Sequence, residues 1–375
     1  MAKLPNRYLF KQVLDDLAEK MVFLAGPRQV GKTTLSQSIL KTQKNGAYLN
    51  WDLAEHRKQI LKQEIPLSGM LVLDEIHKYR SWRNFIKGFY DVYKGTLKIL
   101  ITGSAKLDHY RRGGDSLQGR YHMLHLHPFS VAELGLSTQA ELEELLQKSG
   151  FPEPYYSKNK TAAKRWSETY RQRLIYDDVR DLEKIVDLGK LESLMLHLPE
   201  CVGSSLSVNS LREDLEVSHK AVTHWLKVLE NLCYIYRLPP FVSKKMNALK
   251  KEQKAYLFDW SLVTNPGAQF ENLVASHLLK WVQFQQDVKG ERYALHYFRD
   301  VEKREVDFIV TLNAKPVQAI ECKLSDSNID PSLTYFKKKF PDVEALQICL
   351  NPKSEYRNPI GIQVVSALSF LQRLV

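Results

Sequence analysis

Short apolar runs at 21–25, 47–51, 70–73, 97–101 and 121–127 alternate with stretches whose apolar residues recur at helical spacing. That alternation predicts a parallel sheet covered by helices on both faces. After the first run, Leu35, Ile39 and Leu40 mark a helix over 32–41. Farther on, Glu141 to Ser149 reads as a polar helix. Gly150-Phe151-Pro152-Glu153-Pro154 then breaks the chain before a basic, aromatic stretch over 155–173. A first domain is expected over 1–160.

The pattern changes after residue 206. Leu211 and Leu215 sit on a short helix, a tight turn passes through Val217-Ser218, and Val222, Trp225, Leu226 and Leu229 define a second helix. With a strand over 233–238 this reads as a winged helix-turn-helix, placed in a domain over 161–260. The last stretch, 261–375, is expected to form an α/β domain. An amphipathic helix carries Glu271, a β-rich run carries Asp307, and the next run ends in Glu321-x-Lys323.

Chemistry concentrates where the first apolar run ends. Gly26, Pro27, Arg28, Gln29, Val30, Gly31, Lys32 and Thr33, followed by Thr34, spell G-x-x-x-x-G-K-T between a strand and a helix. Glycines let backbone N–H groups wrap phosphates at the positive end of the helix. Lys32 is expected to neutralise phosphate oxygens and Thr33 to ligate Mg²⁺, so ATP and Mg²⁺ are the expected cofactors. The run over 70–73 ends in Asp74-Glu75. There Asp74 would hold the magnesium's hydration shell and Glu75 would orient and deprotonate the attacking water. The run over 97–101 resembles the strand on which P-loop ATPases of the additional-strand class place a polar side chain that touches the γ-phosphate and the water; either Thr102 or Ser104 would serve, and the residues do not choose between them. Arg120 stands in a position that resembles the one where AAA-type proteins carry an arginine reaching a neighbouring subunit's nucleotide, and that resemblance implies a homo-oligomer, a ring or a dimer. His122, His125 and His127 have no nearby Asp, Glu or Cys to complete a metal site and read as surface or core histidines.

Composition narrows the partner. The 375 residues carry a net charge of +11, an excess that favours a polyanion, with DNA first. His219, Lys220, Thr223, His224 and Lys227 face outward on the second helix of the helix-turn-helix. Lys244, Lys245, Lys250, Lys251 and Lys254 follow in the expected wing. Such a surface suits phosphate contacts more than base reading. No run approaches the ~18 apolar residues of a membrane span, and the N-terminus has no apolar signal core. The four cysteines have no C-x-x-C spacing, so a cytoplasmic, reduced protein is expected.

The order Asp307, Glu321-x-Lys323, with Glu271 upstream, is similar to the PD-(D/E)XK nuclease arrangement. Its acids hold Mg²⁺ while the lysine stabilises developing charge. A nuclease-like fold kept for DNA binding or packing, without cleavage, is the alternative.

Nearly end to end, the chain resembles a prokaryotic family of AAA-type P-loop ATPases with a C-terminal domain of unknown function. The motifs are GPRQVGKTTL (26–35), LVLDEIHK (71–78), ITGSAKL (101–107), DSLQGR (115–120), HPFSVAEL (127–134), GFPEP (150–154), YDDVRDL (176–182), FENLVASHLL (270–279), EVDFIV (305–310) and IECK (320–323). The resemblance implies a P-loop AAA-type domain joined to a winged helix and a PD-(D/E)XK nuclease-like fold. The Gln and Tyr often found on the helix after the ExK strand are replaced by Ser332 and Tyr335. The functional expectation is an ATP-hydrolysing, oligomeric DNA-processing motor of helicase, translocase or branch-remodelling type. A regulatory switch that binds a protein partner, and an ATP-gated Mg²⁺-dependent endonuclease, are the alternatives.

Overall fold

A computed structural model describes residues 7–103, 117–179, 187–243, 252–325 and 328–375. They fall into two compact units: residues up to Pro128 with Asn231–Cys233, and Phe129–Glu230 with Tyr234–Val375.

The first unit is built on β1 (Met21–Ala25), β2 (Gly46–Asn50), β3 (Gly69–Asp74), β4 (Leu97–Thr102) and β5 (Tyr121–His125). All pair in parallel, in the order β2-β3-β4-β1-β5. Buried side chains fill almost every position of β1, β3 and β4, as both faces are covered. Helices α1 (Phe10–Asp16), α2 (Lys32–Leu40), α3 (Ala54–Lys62) and α4 (Trp82–Tyr93) accompany the sheet. On α4 the buried Trp82, Ile86 and Phe89 recur at helical spacing and join a core with Phe23, Leu71, Leu73, Ile99 and Ile101.

The position of β4 decides where the chemistry falls. It lies between β1 and β3, so Thr102 is in register with Leu24 on one side and Asp74 on the other. The C-terminal ends of the strands that precede the glycine loop and the acidic pair thereby flank the end of β4 on one edge of the sheet, where ligands of open parallel sheets bind.

The second unit begins with α5 (Val131–Leu134), α6 (Gln139–Lys148), α7 (Pro152–Tyr155) and α8 (Lys160–Arg173). The polar helix expected from residue 141 starts at Gln139, because Thr138 and Glu141 form a reciprocal capping box. Then follow α9 (Leu188–His197), α10 (Val208–Asp214) and α11 (His219–Asn231), the last two joined by a short turn. An antiparallel ribbon of β6 (Ile235–Leu238) and β7 (Lys254–Leu257) completes this part.

Asn265 caps and Pro266 opens α12 (Pro266–Lys289), which ends at Gly290 in the left-handed conformation, φ 66°. A mixed sheet follows, from β8 (Tyr293–Arg299), β9 (Glu305–Leu312), β10 (Lys315–Ser325), β11 (Glu344–Asn351), β12 (Tyr356–Arg357) and β13 (Gln363–Ser366), in the order β12-β13-β11-β10-β9-β8. Helix α13 (Pro331–Lys339) connects the parallel pair β10 and β11, and α14 (Ala367–Leu371) closes the chain. Asn272 ties α12 to β7: its carboxamide accepts from Leu257 N–H at 2.9 Å and donates to Leu257 O at 2.8 Å. That strap sets Glu271 beside β7.

Candidate functional site

The glycine loop leaves β1 at Gly26, whose φ of 146° and neighbours both demand glycine. A Cβ there would lie 2.2 Å from Leu126 O. Gly31, at φ 99°, forms the N-cap of α2, so Lys32 and Thr33 open the helix. The buried Lys32 ammonium donates to Gly26 O at 3.0 Å and Pro27 O at 2.6 Å. Burial lowers its pKa, against which Glu75 and Asp74 favour the charge. Gln29 takes a left-handed conformation, φ 60°, and its buried Oε1 has no hydrogen-bond partner among the described residues.

Asp74 is the centre of the site. Thr33 Oγ1 donates to its Oδ2 at 2.8 Å, Tyr48 O–H donates to the same oxygen at 2.6 Å, and Thr102 Oγ1 donates to Oδ1. Helix α2 and strands β2, β3 and β4 therefore converge on a single buried carboxylate. Burial and the bond to Asp74 raise the Tyr48 pKa, keeping its hydroxyl a donor. Glu75 has left-handed backbone, φ 56°, and its N–H is held by Thr102 O at 2.9 Å. Lys78 Nζ lies 3.4 Å from its carboxylate and 2.6 Å from that of Asp52. Burial raises the Glu75 pKa, although Lys78 and Lys32 oppose the shift.

Arg7 and Tyr48 were not legible as site residues. The buried Arg7 guanidinium donates to Val30 O at 2.6 Å and His127 O at 2.5 Å, clamping the glycine loop to the chain beyond β5. Hydrophobic pattern gives no sign of Arg7, whereas Tyr48 on a strand next to β3 could have been found by asking which side chains face Asp74.

These residues fit a nucleoside triphosphate with its magnesium ion. The loop satisfies the glycine geometry, and the Lys32 ammonium donates to the carbonyls of Gly26 and Pro27, whose place phosphate oxygens can take. Backbone groups of 26–33, with Lys32, would hold phosphates, and Thr33 with Asp74 would hold the magnesium. Thr34 follows on the exposed face of α2. Of the two candidates after β4, Thr102 contacts Asp74; Ser104 lies outside the described residues.

Arg120 precedes β5 at the opposite end of the sheet from the glycine loop, where its carbonyl accepts from Met21 N–H. Its guanidinium forks onto Asp91, Nε to Oδ1 at 2.7 Å and an Nη to Oδ2 at 3.0 Å. It stands a strand's length, ~16 Å, from the loop of its own chain.

In the second unit, His219, Lys220, Thr223, His224 and Lys227 are exposed along α11 while Val222, Trp225, Leu226 and Leu229 are buried. Lys244, Lys245, Lys250 and Lys251 lie outside the described residues. Lys254 corrects the expectation of a solvated wing lysine. Its side chain is 0% exposed, with Nζ 3.2 Å from Glu271 Oε1, 2.6 Å from Glu305 Oε1 and 3.6 Å from Asp307 Oδ1.

The nuclease-like residues do gather. Asp307 accepts from Cys322 N–H at 2.9 Å, Glu321 accepts from Asp307 N–H at 3.3 Å, and Lys323 donates to Glu321 at 2.7 Å and Asp330 at 3.0 Å. Burial, followed by the charge of Glu271, pushes Asp307 up to about 6; burial and Asp307 push Glu321 well above the usual range. Yet no group of three or more His, Cys, Asp or Glu among the described residues is arranged to hold a metal ion.

A parallel sheet with an added strand between the P-loop strand and the acidic strand defines the N-terminal region as a P-loop AAA-type ATPase domain. Residues 18–135 match the AAA domain family, 139–267 match a domain of unknown function (DUF8612), and 266–370 match another (DUF4143). An uncharacterized protein of Mycobacterium tuberculosis is 22% identical over 367 residues, 92% of this chain and 79% of the relative. One of Methanocaldococcus jannaschii is 24% identical over 305 residues, covering 66% of this chain and 64% of the relative. Among solved structures, the Walker-type ATPase of Pyrococcus abyssi aligns over 70% of this chain and 97% of its own, at 16% identity and a TM-score of 0.45. The RuvB protein of Thermotoga maritima aligns over 62% of this chain and 89% of its own, at 16% identity and a TM-score of 0.33. No helix among the described residues is long and apolar enough to cross a membrane.

Proposed function

We propose that the chain hydrolyses ATP at the site formed by residues 26–34, Asp74, Glu75 and Thr102, and uses the turnover to process DNA as an oligomeric motor. The observation that carries the ATPase reading is the convergence of the Thr33, Tyr48 and Thr102 hydroxyls on Asp74. It links the loop that would hold phosphate to the strands that would sense it. Magnesium, when bound, would supply Lewis-acid stabilisation to the terminal phosphate.

The chain's own residues do the rest. Lys32 neutralises phosphate charge, Thr33 and Asp74 would hold the magnesium ion, and Glu75 takes a proton from the attacking water. Burial raises the basicity of Glu75, which suits a general base. Thr102, hydrogen-bonded to Asp74, can report the state of the phosphate to β4. Because Arg120 is remote from its own loop, its catalytic part is toward a second copy's nucleotide.

Support for DNA comes from the net charge of +11 and from the outward row of His219, Lys220, His224 and Lys227 on a helix that follows a short turn. The decisive measurement is ATP turnover by the full chain with duplex, forked and four-way DNA. Stimulation by at least one DNA, absent in Lys32→Ala, is the expected result. Turnover indifferent to every DNA would remove the motor and leave a switch ATPase acting on a protein partner.

A further inference from the structure

The acids of the C-terminal domain are already answered by protein cations and N–H groups, and the centre of the cluster is the Lys254 ammonium. We propose that Lys254 is the resident cation of this site, so that Glu271, Asp307 and Glu321 bind no divalent ion and the domain is a closed, non-hydrolytic module.

Five of the six carboxylate oxygens of Glu271, Asp307 and Glu321 face a protein donor. Asp307 Oδ1 faces Lys254 at 3.6 Å and Oδ2 accepts from Cys322 N–H at 2.9 Å. Glu321 Oε1 accepts from Lys323 at 2.7 Å and Oε2 from Asp307 N–H at 3.3 Å. Glu271 Oε1 receives both Lys254, at 3.2 Å, and the Tyr256 hydroxyl, at 2.7 Å. Glu305, two residues before Asp307 and on the same face of β9, receives Lys254 at 2.6 Å and lies 3.6 Å from Arg299 Nε.

An ammonium has three N–H donors, and here three carboxylates surround it. A magnesium or manganese ion bridging Glu271 Oε1 and Asp307 Oδ1 would sit among the oxygens that face Lys254. Bound at ~2.1 Å from each, it would meet the ammonium at close range inside a buried pocket, where like charges repel strongly. Lys254 cannot easily withdraw. It is wholly buried on β7, which Asn272 straps to the helix carrying Glu271, and the Tyr297 ring lies 5.6 Å from its Nζ. Removing the lysine instead would leave buried carboxylates without a counter-charge, which is costly unless another cation enters.

This inference is independent of the ATPase reading and is tested without nucleotide. The full chain, Asp307→Asn, Lys254→Ser and the double variant are titrated with Mn²⁺ by calorimetry, and their thermal unfolding is followed with and without the ion. The parent and Asp307→Asn should give superimposable Mn²⁺ isotherms. Lys254→Ser should unfold at lower temperature, gain one Mn²⁺ that the double variant lacks, and recover its Tm when the ion is added. Mn²⁺ bound by the parent and lost in Asp307→Asn would overturn the proposal, as would plasmid nicking by the parent that Asp307→Asn abolishes. A folded Lys254→Ser that gains no ion would overturn it too. Should Lys254→Ser fail to fold, the comparison of the parent with Asp307→Asn still decides.

Discussion

At the scale of single residues, the ATP site is a set of hydrogen bonds whose loss has calculable consequences. Arg7 forks between Val30 O and His127 O from a buried position. Arg7→Ala would remove a charged donor from two buried carbonyls, at a cost of roughly 2–3 kcal/mol given the strength of charged hydrogen bonds. It should also slacken the glycine loop, raising the nucleotide Kd several-fold in calorimetry. Arg7→Lys should restore little, because a point charge cannot span both acceptors. Glu75→Gln keeps the shape of the base but cannot accept the water's proton. Turnover should fall by at least ~100-fold while ATP stays bound, as read by steady-state rate and nucleotide retention. Unchanged turnover would dismiss Glu75 as the base.

At the scale of elements, α12 carries a buried histidine whose ionisation is linked to folding. His277 accepts from Val131 N–H on Nε2 at 3.1 Å, and its Nδ1 faces Leu273 O at 2.8 Å, so the neutral ring satisfies both contacts. Burial holds its pKa down to about 4 from 6.5, and the charge of nearby Lys280 acts in the same direction while Glu133 opposes it. The folded value lies below the unfolded one, so the unfolded chain takes up the proton first. Stability from the neutral ring is therefore complete above about 6.5 and is lost as pH falls toward 4. At about 1.4 kcal/mol per unit this is on the order of 3 kcal/mol. Urea denaturation at pH 7.5 and pH 4.5 should show a smaller acid loss in His277→Gln than in the parent. Equal losses would place the acid sensitivity elsewhere.

For the molecule as a whole, the questions are assembly and charge. If Arg120 acts on a second copy, Arg120→Ala should lower ATP turnover without changing nucleotide affinity. Mixing it with Lys32→Ala subunits should then regain activity, since each would supply what the other lacks; mixtures no better than their average would refute a trans role. For DNA, Lys220→Ala and Lys227→Ala should each reduce the slope of log affinity against log salt by about one if each lysine neutralises one phosphate. Parallel slopes in the parent and both variants would mean that α11 faces something other than the phosphate backbone.

Local pattern fixed much of this protein. The glycine loop, the acidic pair and all five strands of the first sheet were legible because each is a contiguous signal, and their predicted bounds differ little from those observed. Only tertiary structure decided which side chains meet. Thr102 meets Asp74 because β4 enters between β1 and β3, a pairing between segments distant in sequence. Arg7 and Tyr48 reach the site across 23 and 26 residues. Lys254 read as one more solvated charge in a lysine-rich stretch. It is instead buried among Glu271, Glu305 and Asp307, because a lysine's role depends on where its ammonium ends, and that is set by the strands and helix that close around it.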